Sequence, residues 1–187
     1  MSPLFNKIKT AAIYLSLMFV IGFAIFYFFL NTQEGDASSL NKQTAQPSQA
    51  LFAATFPNEN NQPQALKQYA GKTVVLNFWA TWCEPCREEM PELSDLHNEL
   101  KDRNVVVLGM AIEEVGAINE FLKETKVSYP LFAADMQGME IASNLGNNKG
   151  VLPYTVIIKS DGSIAKTYFG RVTKSLLEET LLTLLQK

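Results

Sequence analysis

The chain has 187 residues, 47% of them hydrophobic, enough to bury one full core once its N-terminal segments are set aside. A net charge of −3 offers nucleic acid no basic footprint. Two cysteines and a single histidine fall short of the four ligands that a structural zinc site takes. No internal repeat or phosphate-binding glycine loop is present, and the reading calls for no cofactor and no metal.

Residues 1–10 carry Lys7 and Lys9 and are expected to be a cytoplasmic N-terminus. Residues 11–30, Ala11 to Leu30, form an uncharged apolar run. As a helix the run spans about 30 Å, one bilayer core. It ends Tyr27-Phe-Phe-Leu30, too bulky for the small residues of a signal-peptidase site, which favours an uncleaved anchor over a cleaved signal. Lysines before the span, with Glu34 and Asp36 after it, put the N-terminus inside and the rest outside. Residues 31–50 are rich in Asn, Gln, Ser and Thr and read as a flexible linker. A single globular domain is expected over 51–187, opening with short strands or a hairpin anchored by Phe52 and Phe56.

Thr73-Val-Val-Leu-Asn-Phe78 then reads as a buried strand. It runs into Trp79-Ala-Thr-Trp-Cys-Glu-Pro-Cys-Arg-Glu-Glu-Met-Pro91, where an amphipathic helix begins at the cysteines. Cys83 and Cys86 are separated by Glu84 and Pro85, a Cys-x-x-Cys at a strand-to-helix junction. Disulfide exchange needs a thiolate, and a helix start favours one through free N–H groups and the positive end of the dipole. Cys83 is expected to be the exposed attacking sulfur. Cys86, one turn further in, is placed to resolve the mixed disulfide. Pro85 suits a first turn, where a missing N–H costs no helical bond. A purely structural bond across two residues would close almost no loop and stabilise little. Glu84, Glu88 and Glu89 crowd the pair with Arg87 as sole offset, which disfavours the thiolate and predicts a reductant.

The segment Phe78 to Pro91 resembles the active-site segment of thioredoxin-fold proteins. It is most similar to the TlpA-like, membrane-anchored thiol–disulfide oxidoreductases (the ResA/DsbE type), a branch that includes the cytochrome c maturation thioredoxins. The resemblance implies an α/β thioredoxin-like fold with a central mixed β-sheet flanked by helices, preceded here by the single N-terminal transmembrane helix. It implies a domain on the outer side of a bacterial inner membrane, protein disulfides as substrates, and a membrane electron donor of the DsbD or CcdA kind. Thioredoxins usually place an acidic residue where this chain has Asn77, and Glu89 matches a glutamate of the branch, making it the candidate proton acceptor. Trp82, Glu84 and Pro85 are expected to frame the substrate.

Further on, Leu93, Leu96 and Leu100 mark a core stripe on the motif helix, with Pro91 inside it and His97 at the stripe's edge. Asn104 to Ile112 reads as a second fully buried strand, parallel to the first through a right-handed crossover. Val115, Ile118 and Leu122 mark a helix, Leu131 to Ala134 a short strand, and Met136 to Leu145 another helix in which both Met136 and Met139 are expected in the core. In Gly150-Val-Leu-Pro-Tyr-Thr155 the resemblance implies that Pro153 is cis and that the Leu152 backbone is open to an incoming peptide. The open alternative is a proline starting an edge strand. Ser160-Asp-Gly162 turns between two antiparallel strands, and Lys174 to Leu185 is a final amphipathic helix.

Two other functions compete. A peroxiredoxin-type peroxidase would carry Thr or Ser three residues before its reactive cysteine, where this chain has Ala80. A copper-delivery protein or adaptor of the same fold would space its cysteines one residue wider and add a later histidine, and none follows His97.

Overall fold

The computed structural model describes residues 16–28 and 46–185. Residues 16–28 are helical (α1). The ends of the expected span, 11–15 and 29–30, and most of the linker lie outside the described residues. Among the described residues no helix is long and apolar enough to cross a membrane. Two compact units separate between Ala45 and Gln46.

The second unit starts five residues earlier than expected. Gln49–Ala53 is a short helix, α2, with Ser48 and Leu51 buried beneath the rest of the domain. The anticipated hairpin follows it, with β1 (Thr55–Pro57) paired antiparallel to β2 (Pro63–Ala65). A five-residue helix has too little periodicity to be seen in sequence, and its polar neighbours made it look like linker.

A mixed five-stranded sheet in the order β5-β4-β3-β6-β7 forms the centre. Strands β3 (Thr73–Trp79), β4 (Val105–Ala111) and β5 (Leu131–Ala133) are parallel, while β6 (Tyr154–Ile158) and β7 (Ile164–Phe169) return antiparallel. Every residue of β3 and β4 is buried, as a strand covered on both faces requires. Alternation divides β3 between two cores. Val75 and Trp79 face α3 (Glu84–Leu100), α4 (Val115–Leu122) and α6 (Lys174–Leu185). Val74, Leu76 and Phe78 face α2 and α5 (Asp135–Asn144). Asn77 shares the α3 face, which sets up the site.

Leu93, Leu96 and Leu100 are buried as the stripe predicts, and Pro91 lies within α3. His97 is half-buried, its Nδ1 accepting the Val107 N–H at 3.4 Å. Met136 is a correction. Its position in the first turn of α5 leaves it 70% exposed, and the helix buries Gly138, Ile141 and Ala142 instead.

Candidate active site

Strand β3 ends at Trp79, and the loop Ala80–Trp82 carries the chain to Cys83, the N-cap of α3. Pro85 sits in the first turn, where no helical bond is lost. Cys83 and Cys86 are joined as a disulfide with a Cα–Cα distance of 5.3 Å. Cys83 is more covered than expected at 7% exposure, yet Cys86 is at 0%. The N-cap lies half outside the helix, whereas Cys86 has entered its inward stripe. Of the two residues, Cys83 alone retains any contact with solvent.

Glu89 follows Cys86 by three residues, so the helical period turns it to the same inward face. There it meets Asn77, whose Nδ2 donates to Glu89 Oε1 at 2.7 Å and to Thr155 Oγ1 at 3.0 Å. The Val172 N–H donates to Glu89 Oε2 at 2.8 Å. Burial pushes the Glu89 carboxyl up to about 7; the Val172 and Asn77 bonds and the Arg171 charge hold it down, while Glu92 adds to the rise. A carboxyl tuned this way exchanges protons near neutrality.

Tyr129 lies on the same face of the sheet. Gly109, opposite Asn77 in register, makes room for it: a Cβ there would come 2.9 Å from the Tyr129 ring and 3.2 Å from Trp79 Nε1. Burial, with the Glu89 charge second, raises the Tyr129 hydroxyl far above its ordinary value. Asn77 Oδ1, Trp79 Nε1 and the Tyr129 hydroxyl find no hydrogen-bond partner among the described residues.

The expected acidic crowding around the cysteines is weaker than the sequence suggested. Arg171, 83 residues beyond Glu88, donates from Nη1 to Glu88 at 3.0 Å, and its Nη2 lies 3.4 Å from Glu92. Lys174 N–H also donates to Glu92 at 2.8 Å. Glu88 is therefore paired and Glu89 is buried, leaving Glu84 exposed on the first turn. Unforeseen, Glu113 accepts the Thr81 N–H at 2.5 Å and the Thr81 hydroxyl at 2.8 Å.

The Leu152–Pro153 peptide is cis. Phe78 pairs with Tyr154, so continuing that antiparallel register sets Pro153 beside Trp79, at the root of the cysteine loop. Leu152 packs against the core cluster that holds both cysteines. Asn147 grips Val151, accepting its N–H at 3.1 Å and donating to its carbonyl at 2.8 Å, and Gly170 N–H donates to the Pro153 carbonyl at 2.9 Å. The Leu152 N–H and carbonyl make no hydrogen bond among the described residues. Trp82 is 70% exposed, and Phe169, beyond Tyr154 on β7, is 53% exposed. Trp82, Glu84, Pro85, Leu152 and Pro153 are thus gathered around one disulfide. No group of three or more His, Cys, Asp or Glu among the described residues could hold a metal.

A bonded cysteine pair opening a helix over a mixed sheet, beside a cis-proline loop, defines a thioredoxin-like redox domain. The Redoxin family model matches residues 43–184, and the chain belongs to that family. Among its relatives, the thiol-disulfide oxidoreductase ResA of Bacillus thuringiensis subsp. konkukian is 37% identical over 117 residues, 62% of this chain and 65% of that protein, so the match spans less than two thirds of the relative's length. ResA of Halalkalibacterium halodurans is 28% identical over 93% of this chain and 94% of its own. In structure, a secreted thiol-disulfide isomerase of Corynebacterium glutamicum superposes with a TM-score of 0.64 at 23% identity, covering 72% of this chain and 84% of that one. A thiol:disulfide interchange protein of the thioredoxin family from Chlorobium tepidum gives 0.62 at 21% identity, covering 71% and 92%.

Proposed function

We propose that this protein is a thiol–disulfide oxidoreductase that reduces disulfides in other proteins on the outer side of the cytoplasmic membrane, held there by residues 11–30. The observation that carries the chemistry is the unequal burial of the bonded pair, Cys83 still 7% exposed at the helix N-cap and Cys86 fully buried three residues before buried Glu89. In the reduced protein the Cys83 thiolate attacks one sulfur of a target disulfide. A mixed disulfide forms and the target's other sulfur leaves as a thiolate. Glu89, as carboxylate, takes the proton of the Cys86 thiol. The Cys86 thiolate then attacks the Cys83 sulfur, forming the Cys83–Cys86 bond and releasing the second target thiolate. Two electrons pass from the pair to the target. The unpaired Leu152 backbone supports docking of an extended target segment, with Trp82, Glu84, Pro85 and Pro153 lining its path.

The apolar run and its flanking charges support the tether. The run has no cysteine with which to pass electrons, so a membrane dithiol donor of the DsbD or CcdA kind must restore the reduced pair. The relatives named thiol-disulfide oxidoreductase ResA support a disulfide-bonded substrate, and we propose cytochrome c maturation as the setting on the resemblance of the motif segment. In membranes carrying a Cys86→Ala variant, Cys83 should accumulate in mixed disulfides with target proteins. Absence of any such adduct, with the variant folded and reduced, would overturn the proposal.

A further inference from the structure

The loop that delivers Cys83 to the helix is held from the neighbouring strand. Trp79 pairs with Ala111 in the parallel register of β3 and β4, and the Ile112 N–H donates to the Trp79 carbonyl at 3.0 Å. Two residues further along each strand, Thr81 faces Glu113. One carboxylate oxygen of Glu113 takes the Thr81 N–H at 2.5 Å and the other takes its hydroxyl at 2.8 Å. Both contacts are partly buried, and the Cys83 N–H is tied back to the Ala80 carbonyl at 3.1 Å. Ala80 to Cys83 is therefore a closed turn anchored at its midpoint by a charged group.

That group has two effects on the sulfur. It fixes the loop through which Cys83 and Trp82 are presented. It also places a negative charge two residues from Cys83, at most about 7 Å between the Thr81 and Cys83 Cα atoms. The other charges near the sulfur are Glu84, Arg87 and Glu88 on α3, with Arg171 of the β7–α6 loop pairing Glu88, and buried Glu89 behind Cys86. Glu113 forms no ion pair among the described residues, so its field on the loop is not offset by one.

We propose that Glu113 is a positioning residue for the attacking sulfur: clamped on Thr81, it sets the Cys83 loop and its charge opposes the Cys83 thiolate, making the reduced pair a stronger electron donor. The assignment rests on the oxidoreductase reading, yet it is testable without a substrate. The reduced full-length protein is titrated by thiolate absorbance, and its dithiol–disulfide equilibrium with glutathione is measured. Glu113→Gln keeps an acceptor for the Thr81 N–H and removes the charge. It should lower the Cys83 titration midpoint by roughly one pH unit and shift the glutathione equilibrium about tenfold toward reduced protein. Thr81→Val keeps the charge and loses the hydroxyl contact, and its midpoint should stay within a few tenths of the parent value. Glu113→Asn serves as the second neutral variant where Glu113→Gln does not fold.

A neutral variant that titrates like the parent would overturn the proposal, as would a Thr81→Val variant that shifts as far as Glu113→Gln. Failure of the parent protein to reduce a model protein disulfide would instead sink the oxidoreductase reading and leave the titration result standing.

Discussion

The two cysteines sit in one bond and in two environments. Cys83 caps the helix, on a loop fixed from β4 and flanked by exposed Trp82, Glu84 and Pro85. Cys86 has turned into the core with Met90 and Leu93, three residues before a buried carboxyl. The same short motif therefore supplies a sulfur for meeting other molecules and a sulfur whose chemistry is set by the protein interior. What separates them is the start of the helix: the period of 3.6 residues applies to Cys86 and Glu89 but not yet to the N-cap.

The largest effect expected from breaking this division is at its outer member. Cys83→Ala should abolish exchange with protein disulfides and yield no mixed adduct, as gel shift after thiol trapping would report. Adduct formation through Cys86 in that variant would mean that the interior sulfur is reachable after all.

Next comes the inner carboxyl. Glu89→Gln should slow resolution of the mixed disulfide about 100-fold, the low end for removal of a general base. The fold should survive, because Asn77 Oδ1 is unpaired and an amide flip lets it accept from the new side chain. Stability checks the same group independently. Glu89 binds its proton more tightly in the folded protein, at about 7, than at its ordinary value of 4.5. The folded state thus holds more protons between those values, and its stability falls as pH rises through that window. The loss should reach about 3 kcal/mol above pH 7 and be absent from Glu89→Gln, as urea melts at pH 5 and 8 would show. A pH-independent difference between the two proteins would refute the buried-acid assignment.

Asn77→Asp sharpens the comparison from the strand side. It sets a second carboxyl against Glu89, so the pair should titrate together with one proton held well above pH 7. The fall in stability from pH 5 to pH 8 should exceed the parent's by roughly 2 kcal/mol. The smallest effect belongs to Arg171→Gln. The guanidinium lowers Glu89 across an exposed ion-pair cluster, so its loss should raise the carboxyl by a few tenths of a pH unit. Infrared detection of the protonated carboxyl would measure it.

Much of this was readable in sequence where the signal was local. Continuous apolar runs gave β3 and β4, the Leu93–Leu96–Leu100 stripe gave the packed face of α3, and the cysteines with Glu89 fell within one helix. The contacts that tune them are not local. Arg171 and Val172 reach α3 from the far end of the chain, Thr155 crosses from β6, and Tyr129 fits only because Gly109 lacks a side chain. Glu113 is a carboxylate just past a buried parallel strand, and only the strand register sets it opposite the motif loop. The short α2 left no periodic trace, and Met136 falls off the inward stripe of α5, which is marked by Gly138 as much as by Ile141 and Ala142.

The most direct test of the division between the sulfurs is the rate at which the fully reduced protein is oxidised by a protein disulfide, followed by stopped flow from pH 5 to 9. The parent should resolve its mixed disulfide along a curve that rises with an inflection near pH 7, and Glu89→Gln should lack that inflection. Identical curves from the two proteins, or no oxidation of the parent at any pH, would contradict the account.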